Sequence, residues 1–270
     1  MNVLVTGANS GIGASVAKVF AENGHSVYAL DIRTTPLRTN LFSYTADITD
    51  ASALLAVRED LDTRGVKLDC IINVAGMFLM DNFLEVSQEK LCRIFRVNVL
   101  GAMLVNKIFF PLLRKNGKIF ITTSEVATLD PLPFNGIYAV SKTALDAYTQ
   151  ALRHEAGMLG AKVITVRPGA VKTPLAESSI PAMRQMSEKS LLFGGQADKF
   201  QKIMEKFTGK MLSPDVIAVK IYKLALKKHP KSICSVHNNV LLKLLSALPI
   251  GWQIALIRRL VRPDDKHAVG

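Results

Sequence analysis

Cysteine is scarce in this chain. Its 270 residues include only Cys70, Cys92 and Cys234. The number is odd, and the spacing is neither that of a zinc site nor that of a disulfide framework. We therefore expect reduced thiols in a cytosolic protein, no bound metal, and a plain core position for Cys70 within its apolar run.

Long apolar runs are also missing. No stretch of about 18 uncharged apolar residues occurs, and a membrane-spanning helix needs one. The first predicted strand begins at Asn2, which leaves no room for a signal peptide before it. These two absences predict a cytoplasmic protein.

Acidic residues are sparse in the last quarter of the chain. The net charge is +12, and residues 201–270 carry most of it, with 13 lysines and arginines against 4 acidic residues. Such a surface could attract nucleic acid or an anionic membrane, or could simply be a solvated face. The quarter has no recognised nucleic-acid motif and few aromatic residues for base stacking, so we expect no nucleic-acid partner.

What is present is an alternation of apolar strands and amphipathic helices. Hydrophobic residues make up 49% of the chain and charged residues 21%, which is ordinary for a soluble globular protein. The alternation predicts a doubly wound α/β fold with a parallel sheet. The predicted strands are Val3–Val5, Ser26–Leu30, Phe42–Thr45, Leu68–Asn73, Gly117–Thr123, Ala161–Val166 and Ser232–Val236. The clearest predicted helices cover Ala14–Phe20, Ala51–Leu61, Ser87–Leu112, a run from Tyr138, and a run from Pro214.

A glycine-rich turn follows the first strand, with Gly7, Gly11 and Gly13 in the segment from Thr6 to Gly13. Strand, glycine-rich turn and helix form the context of a dinucleotide-binding fingerprint. Glycines let the backbone approach a pyrophosphate, and the helix N-terminus offers it unpaired N–H groups and a positive dipole.

Asp31 ends the second strand, 18 residues after Gly13. A carboxylate there can accept hydrogen bonds from an adenosine ribose. It would repel a 2′-phosphate, so it favours NAD over NADP, although Arg33 and Arg38 could soften that preference. The alternative is that Asp31 is only a turn residue.

Tyr138 and Lys142 are four residues apart in a predicted helix and therefore share one face. A cation near the phenol lowers its pKa from about 10. Such a tyrosine can exchange a proton with a substrate hydroxyl. The alternative is an exposed helix pair without a role.

Together these motifs resemble the short-chain dehydrogenase/reductase family. The resemblance rests on Thr-Gly-x-x-x-Gly-x-Gly at residues 6–13, Asn-x-Ala-Gly at 73–76 and Tyr-x-x-x-Lys at 138–142. It covers roughly residues 1–236 and implies strand order 3-2-1-4-5-6-7 and a nicotinamide dinucleotide cofactor.

The resemblance implies four catalytic residues. Tyr138 would transfer the proton, and Lys142 would lower its pKa and hold the nicotinamide ribose. Ser124, at the end of the fifth strand, would position the reacting oxygen, with Thr123 as its nearest competitor for that role. Asn98 would support a water that links Lys142 to solvent; the alternative is a structural polar group in the core.

The resemblance also implies a cofactor site. Asp47 and Ile48 would contact the adenine, Val171 and Thr173 the nicotinamide carboxamide, and Pro168-Gly169 is read as a turn before them. The complete expected set is Gly7, Asn9, Ser10, Gly11, Ile12, Gly13, Asp31, Asp47, Ile48, Asn73, Ala75, Gly76, Tyr138, Lys142, Pro168, Gly169, Val171 and Thr173.

Two late segments extend the single expected domain, residues 1–270. Residues 174–212 are too long for a simple connection and suggest a substrate lid. Their apolar side chains could contact a bulky ligand or pack beneath the lid; they are Met183, Met186, Met204, Met211, Leu191, Leu192, Phe193 and Phe200. The apolar, basic tail at about 238–270 could lie on a membrane interface, cap the substrate cleft or pack on a partner subunit.

The sequence thus predicts an NAD(H)-dependent oxidoreductase that interconverts a secondary alcohol and a ketone. The resemblance suggests a bulky hydrophobic substrate such as a hydroxysteroid. It also implies a homodimer or homotetramer, paired through helices at 87–112 and 138–157. The alternatives are a non-catalytic dinucleotide sensor on the same fold and a reductase of small carbonyl compounds.

Overall fold

The computed structural model of the protein describes residues 1–35, 39–177, 179–207, 211–236 and 239–262. Arg38, predicted to lie near Asp31, and the side chain of Met204 fall outside the described part of the chain.

A seven-stranded parallel sheet forms the centre of the molecule, in the predicted order 3-2-1-4-5-6-7. Because all strands run the same way, their carboxyl ends meet at one edge, where ligands bind in such sheets. The strands are β1 (Asn2–Thr6), β2 (Ser26–Asp31), β3 (Leu41–Thr45), β4 (Leu68–Asn73), β5 (Leu113–Thr122), β6 (Lys162–Pro168) and β7 (Ile233–Val236).

Helices cover both faces of the sheet, and each face has its own apolar core. One core joins the helices of residues 11–22 and 214–226 to the sheet around Phe20 and Phe120, and the other joins those of residues 51–63, 102–109 and 136–158 around Phe109 and Ile119. Cys70 is fully buried in the first core, as predicted. The helices are α1 (Gly11–Glu22), α2 (Ala51–Thr63), α3 (Gln88–Phe95), α4 (Ala102–Phe109), α5 (Gly136–Met158), α6 (Pro174–Glu177), α7 (Ser179–Lys189), α8 (Gly194–Phe207), α9 (Pro214–Leu226), α10 (Val240–Ser246) and α11 (Ile250–Val261).

The predicted long helix from Ser87 to Leu112 is continuous but not uniform. Ser87 caps its start by accepting a hydrogen bond from the Lys90 N–H, although the sequence lacks a capping box there. A π-helical turn, Arg96–Gly101, separates α3 from α4 and carries Asn98. By length and composition this helix could cross a membrane, but half of its apolar window is buried inside the protein.

Several boundaries differ from the sequence prediction by one to four residues. Helix α1 begins at Gly11 instead of Ala14, and β5 begins at Leu113 instead of Gly117. The prediction of a turn at Pro168-Gly169 was wrong, because Pro168 is the last residue of β6 and is paired with Val236. The Gly169 N–H also donates to the Val236 carbonyl at 2.9 Å, so the edge strand β7 holds Pro168 in the sheet and continues its hydrogen bonds to Gly169.

Residues 174–212 include helices α6, α7 and α8, which have an apolar cluster of their own. Met183, Met186 and Phe200 are buried there against Phe134. These side chains therefore pack within the lid, while Leu191, Leu192 and Met211 are exposed.

Candidate active site

Tyr138 and Lys142 lie near the start of α5, beside the carboxyl end of β5. Lys142 is 5% exposed, and its ammonium donates a hydrogen bond to the Thr122 carbonyl at 3.2 Å. The same nitrogen lies 5.8 Å from the centroid of the Tyr138 ring. The two side chains point the same way, as the four-residue spacing predicts.

Burial dominates the proton affinities of this pair. It raises the pKa of Tyr138 to about 12, and a hydrogen bond with Ser124 acts in the opposite direction. Burial also lowers the pKa of Lys142 to about 8. Burial and the Ser124 hydrogen bond account for this shift of the Tyr138 pKa, so the predicted lowering of that pKa by Lys142 stays a prediction.

Phe78 covers Tyr138. Their ring centroids are 4.6 Å apart, with the planes tilted by 54°. Phe78 was not among the predicted site residues, although it comes two positions after Gly76. The signal that could have found it is this position in the loop that leaves the carboxyl end of β4.

Ser124 and its predicted competitor Thr123 have different surroundings. Ser124 forms the side-chain hydrogen bond with Tyr138 and also accepts one from the Val126 N–H at 3.4 Å. Thr123 instead donates to Asp146 at 3.0 Å, next to the Asp146–Arg167 ion pair. The geometry therefore favours Ser124 as the hydroxyl that faces the phenol.

The Asn98 amide holds the loop that follows β4. Its Oδ1 accepts from the Met77 N–H at 2.7 Å, and its Nδ2 donates to the Met77 carbonyl at 2.9 Å. The same Nδ2 donates to Ser141 Oγ at 3.0 Å, and Ser141 donates to the Tyr138 carbonyl at 2.7 Å. Asn98 thus connects the Phe78 loop to the helix that carries Tyr138 and Lys142.

The glycine-rich turn packs too closely for side chains. Gly7 has φ +68°, and a Cβ there would lie 2.8 Å from the Ala75 Cα. A Cβ on Gly13 would lie 2.0 Å from the Gly7 carbonyl oxygen. The turn therefore needs glycine at both positions, as the dinucleotide fingerprint requires.

The N-terminus of α1 faces the carboxyl edge of the sheet. Its N-cap residue, Ser10, makes no capping bond with its side chain, and no acidic residue occupies the first turn of α1. Such a terminus offers backbone N–H groups to an anion. Neighbouring Asn9 donates its N–H to Asp31 at 3.0 Å, and Asp31 also accepts from the Arg33 N–H.

The segment after β6 reaches the same turn. A Cβ on Gly11 would lie 3.0 Å from the Thr173 methyl group, so these two predicted cofactor residues are neighbours. Val171 forms a parallel bridge with Leu212. That bridge uses the Ala170 carbonyl and the Lys172 N–H, which leaves the backbone groups of Val171 outside it.

Other predicted cofactor residues have mainly structural contacts. Ile48 is buried in the core against Gly101, and Asp47 accepts hydrogen bonds from Thr49. Asn73 is buried, with its amide donating to Asn106 Oδ1 at 2.8 Å. Ile48 is 6% exposed, so its side chain has little free surface for a cofactor.

Thr6, Asn106 and Ser141 support the site but were not predicted. Thr6 Oγ1 accepts from the N–H groups of Val74 and Ala75, which fixes β1 against the loop after β4. The signal for all three was the same as for Asn98: a polar residue within an apolar segment needs a partner.

Comparison with known proteins agrees with this geometry. The family model for short chain dehydrogenases matches residues 1–184. Oxidoreductase UcpA of Salmonella typhimurium is 34% identical over 187 residues, which is 65% of this chain and 71% of that protein. The 3-ketodihydrosphingosine reductase of Bacteroides thetaiotaomicron is 28% identical over 233 residues, 84% of each chain. A probable short-chain type dehydrogenase/reductase of Helicobacter pylori, VdlC, is 28% identical over 98% of this chain and 99% of its own.

The fold has solved counterparts. A short chain dehydrogenase family protein from Francisella tularensis has a TM-score of 0.74 at 24% identity, covering 87% of this chain and 96% of its own. This likeness, the matched family model and the sheet order support the fold independently of the short sequence motifs. The chain belongs to the short-chain dehydrogenase family, whose members are oxidoreductases that act on CH–OH groups and use a nicotinamide dinucleotide.

Proposed function

We propose that the protein interconverts a secondary alcohol and a ketone, with Tyr138 as the proton-transfer group and NAD(H) as the cofactor. The observation that carries the proposal is the placement of Tyr138 between Ser124, which is hydrogen-bonded to it, and the buried Lys142 ammonium. A phenol held by a hydroxyl and a cation can give or take a proton at a substrate oxygen.

Each side chain has a proposed task in that reaction. The Tyr138 hydroxyl donates its proton to the carbonyl oxygen during reduction and takes it back during oxidation. Ser124 holds the same oxygen, and Lys142 stabilises the phenolate that forms. Asn98 positions the loop that carries Phe78. The nicotinamide dinucleotide supplies or accepts the hydride when it is bound.

The residues around the glycine-rich turn fit a dinucleotide. The close approach of Gly7 and Gly13 leaves the backbone uncovered, and the start of α1 can receive the pyrophosphate. We propose NAD rather than NADP because the Asp31 carboxylate ends β2 at the position that binds the adenosine ribose in this fold. Hydrogen bonds from Asn9 and Arg33 fix that carboxylate in place.

We propose a bulky, apolar substrate. The loop that faces Tyr138 contains Met77, Phe78 and Met80, and the lid brings further apolar side chains to its border. One relative is named a 3-ketodihydrosphingosine reductase, and that name describes a ketone within a large lipophilic molecule. Hydroxysteroids and long-chain keto compounds are therefore the substrates to test first.

The remaining proposals concern assembly and location. We propose one domain, residues 1–270, that works in the cytoplasm as a homodimer or homotetramer. Pairing through the helices of residues 87–112 and 138–157 is supported by exposed apolar side chains there, including Leu100 and Val140. We propose the tail, about 238–270, as the part that can contact a membrane peripherally.

The test is a spectrophotometric assay of NAD(H) turnover on hydroxysteroids, long-chain keto compounds and small secondary alcohols, with NADP(H) alongside. We expect turnover of the bulky compounds with NAD(H). Turnover confined to small polar substrates would contradict the substrate proposal, and a preference for NADP would contradict the role of Asp31. Tyr138→Phe should lower turnover by roughly 10²- to 10⁴-fold and leave cofactor binding intact; unchanged turnover would contradict the catalytic proposal.

A further inference from the structure

The last two helices expose most of their apolar side chains. Helix α11 buries only a narrow stripe, which starts at the polar Gln253 and continues through the half-buried Ile257 and Val261. Large apolar residues at least 40% exposed on these helices are Val240, Leu241, Leu244, Ile250, Trp252, Ile254, Leu256 and Leu260. Large apolar side chains that cluster at the surface in this way mark an interaction site.

The same segment is strongly basic. Residues 216–263 contain no aspartate or glutamate and nine lysines and arginines. Arg258, Arg259 and Arg262 are exposed on or directly after α11. Trp252, Leu256 and Leu260 recur at four-residue spacing on one face, so α11 presents an apolar flank beside a basic one.

We propose that α10 and α11 dock on the surface of an anionic lipid bilayer. An amphipathic helix with lysine or arginine on its polar face and tryptophan and leucine on the other lies in the membrane interface. Basic residues next to it are attracted to anionic lipid headgroups. Trp252, which is 69% exposed, is the residue type enriched at that depth.

The positive charge beside the apolar surface of α10 and α11 favours a lipid bilayer over a second copy of the chain as the partner that covers this surface. In a symmetric pair, each copy would bring the same patch to the interface, so the Arg258, Arg259 and Arg262 groups of two chains would lie close together. Asp264 and Asp265 follow Pro263, but residues 216–263 hold nine basic residues and no carboxylate, so a pair of tails would keep a large excess of positive charge. An anionic bilayer covers the apolar flank and supplies the missing negative charge.

The tail is held in place by polar contacts that leave its apolar flank outside. Gln253 donates to the Asp130 carboxylate at 2.7 Å and to the Leu248 carbonyl at 2.9 Å. Ser246 accepts from the Asp130 N–H at 2.8 Å, and the Asn239 N–H donates to Glu125 at 2.7 Å. Glu125 directly follows Ser124.

The other end of the tail contacts the lid. Val261 packs against the lid cluster, and Lys199 of α8 donates to the Arg262 carbonyl at 2.7 Å. Docking of the tail therefore brings both the lid and the catalytic edge of the sheet close to the bilayer. This arrangement suits an apolar substrate drawn from lipid; that consequence, unlike the docking itself, rests on the proposed function.

The test uses Trp252, the only tryptophan in the chain. The 270-residue protein is mixed with vesicles of phosphatidylglycerol or of phosphatidylcholine, and tryptophan emission and co-sedimentation are followed. We expect a blue shift and co-sedimentation with phosphatidylglycerol that weaken as salt is raised. Arg258→Gln combined with Arg259→Gln should weaken binding roughly 10-fold or more. The control, Lys107→Gln with Lys115→Gln, removes two exposed charges elsewhere and should bind like the parent.

Three results would overturn the proposal. The first is no shift with either vesicle, and the second is equal binding to both lipids. The third is a blue shift that needs only higher protein concentration and accompanies a doubled mass, which would assign the surface to a second copy. Vesicle binding is measured without substrate, so its outcome is independent of catalysis.

Discussion

Glu85 and Leu191 are 106 positions apart in the chain, and the Leu191 N–H donates a 2.8 Å hydrogen bond to the Glu85 carboxylate. The same carboxylate accepts from the Leu192 N–H and from the Ser190 hydroxyl. Residues 190–192 form the turn between α7 and α8. One side chain in the loop after β4 therefore holds the tip of the lid, and these hydrogen bonds lower the pKa of Glu85.

This contact predicts a positioning role for Glu85. Glu85→Gln weakens the bonds to the lid turn because charge-assisted hydrogen bonds are stronger than neutral ones. We expect KM for bulky substrates to rise several-fold while kcat changes little. Steady-state kinetics on large and small substrates measure the effect, with Asp198→Asn, an exposed lid carboxylate, as the matched control. A fall in kcat with unchanged KM would contradict a role in holding the lid.

The burial of the Lys142 ammonium leads us to predict that this residue lowers stability while it supports activity. Its pKa falls from 10.5 to about 8 on folding, so its buried charge costs at most about 3 kcal/mol below pH 8. The penalty is relieved as pH rises from about 8 to 10.5, because the unfolded chain then binds more protons than the folded one. Lys142→Met should therefore abolish turnover yet raise the free energy of unfolding at neutral pH.

Chemical denaturation at several pH values below 10 tests this prediction. The increase in the free energy of unfolding of Lys142→Met is reduced by roughly 1 kcal/mol or more, because the Thr122 carbonyl loses its hydrogen-bond donor. The advantage of the variant should shrink as pH rises above 8. Lys115→Met, at an exposed lysine, is the control and should show no such pH dependence. A variant less stable than the parent at every pH would contradict a net cost of the buried charge.

Phe78→Ala should change the pH dependence of catalysis. Phe78 covers the Tyr138 ring, and burial is the main cause of the raised pKa of Tyr138. Exposure to water should lower that pKa toward its ordinary value of about 10. We expect the high-pH limb of the kcat/KM profile to move to lower pH, while Phe78→Leu, which keeps the site covered, should shift it less. If the high-pH limb of the kcat/KM profile were the same in the parent, Phe78→Ala and Phe78→Leu, Phe78 would not control the environment of Tyr138.

Asp31→Ala should shift cofactor choice. Without the carboxylate, the ribose of NAD loses an acceptor and a 2′-phosphate is no longer repelled. Titration of the protein with NADH and NADPH should show weaker binding of the first and stronger binding of the second. Asp69→Asn is the control, since Asp69 also accepts a backbone N–H, from Asn2, but at the amino end of β1 and away from the site. An unchanged ratio of the two affinities would contradict the proposed contact.

Much of the fold could be predicted because its signals are local. β4 runs from Leu68 to Asn73 as predicted, and Asp50 caps α2 by accepting from the Ser52 and Ala53 N–H groups. Apolar runs, turn glycines and capping side chains act within a few residues of one another. The sheet order came from the family resemblance of the motifs and is confirmed.

The sequence by itself therefore determined the strands, the helices that flank the sheet, the glycine-rich turn and the shared face of Tyr138 and Lys142, but not the helices of residues 174–207 or the bounds of those in residues 240–261. Only the tertiary structure decided the raised pKa of Tyr138, the cover that Phe78 provides and the attachment of the lid to Glu85. Pro168 is a further example: its local sequence predicts a turn, but pairing with Val236 in β7 keeps it extended. Local periodicity and turn chemistry depend on neighbours in the chain, whereas burial, strand pairing and proton affinity depend on residues that only folding brings together.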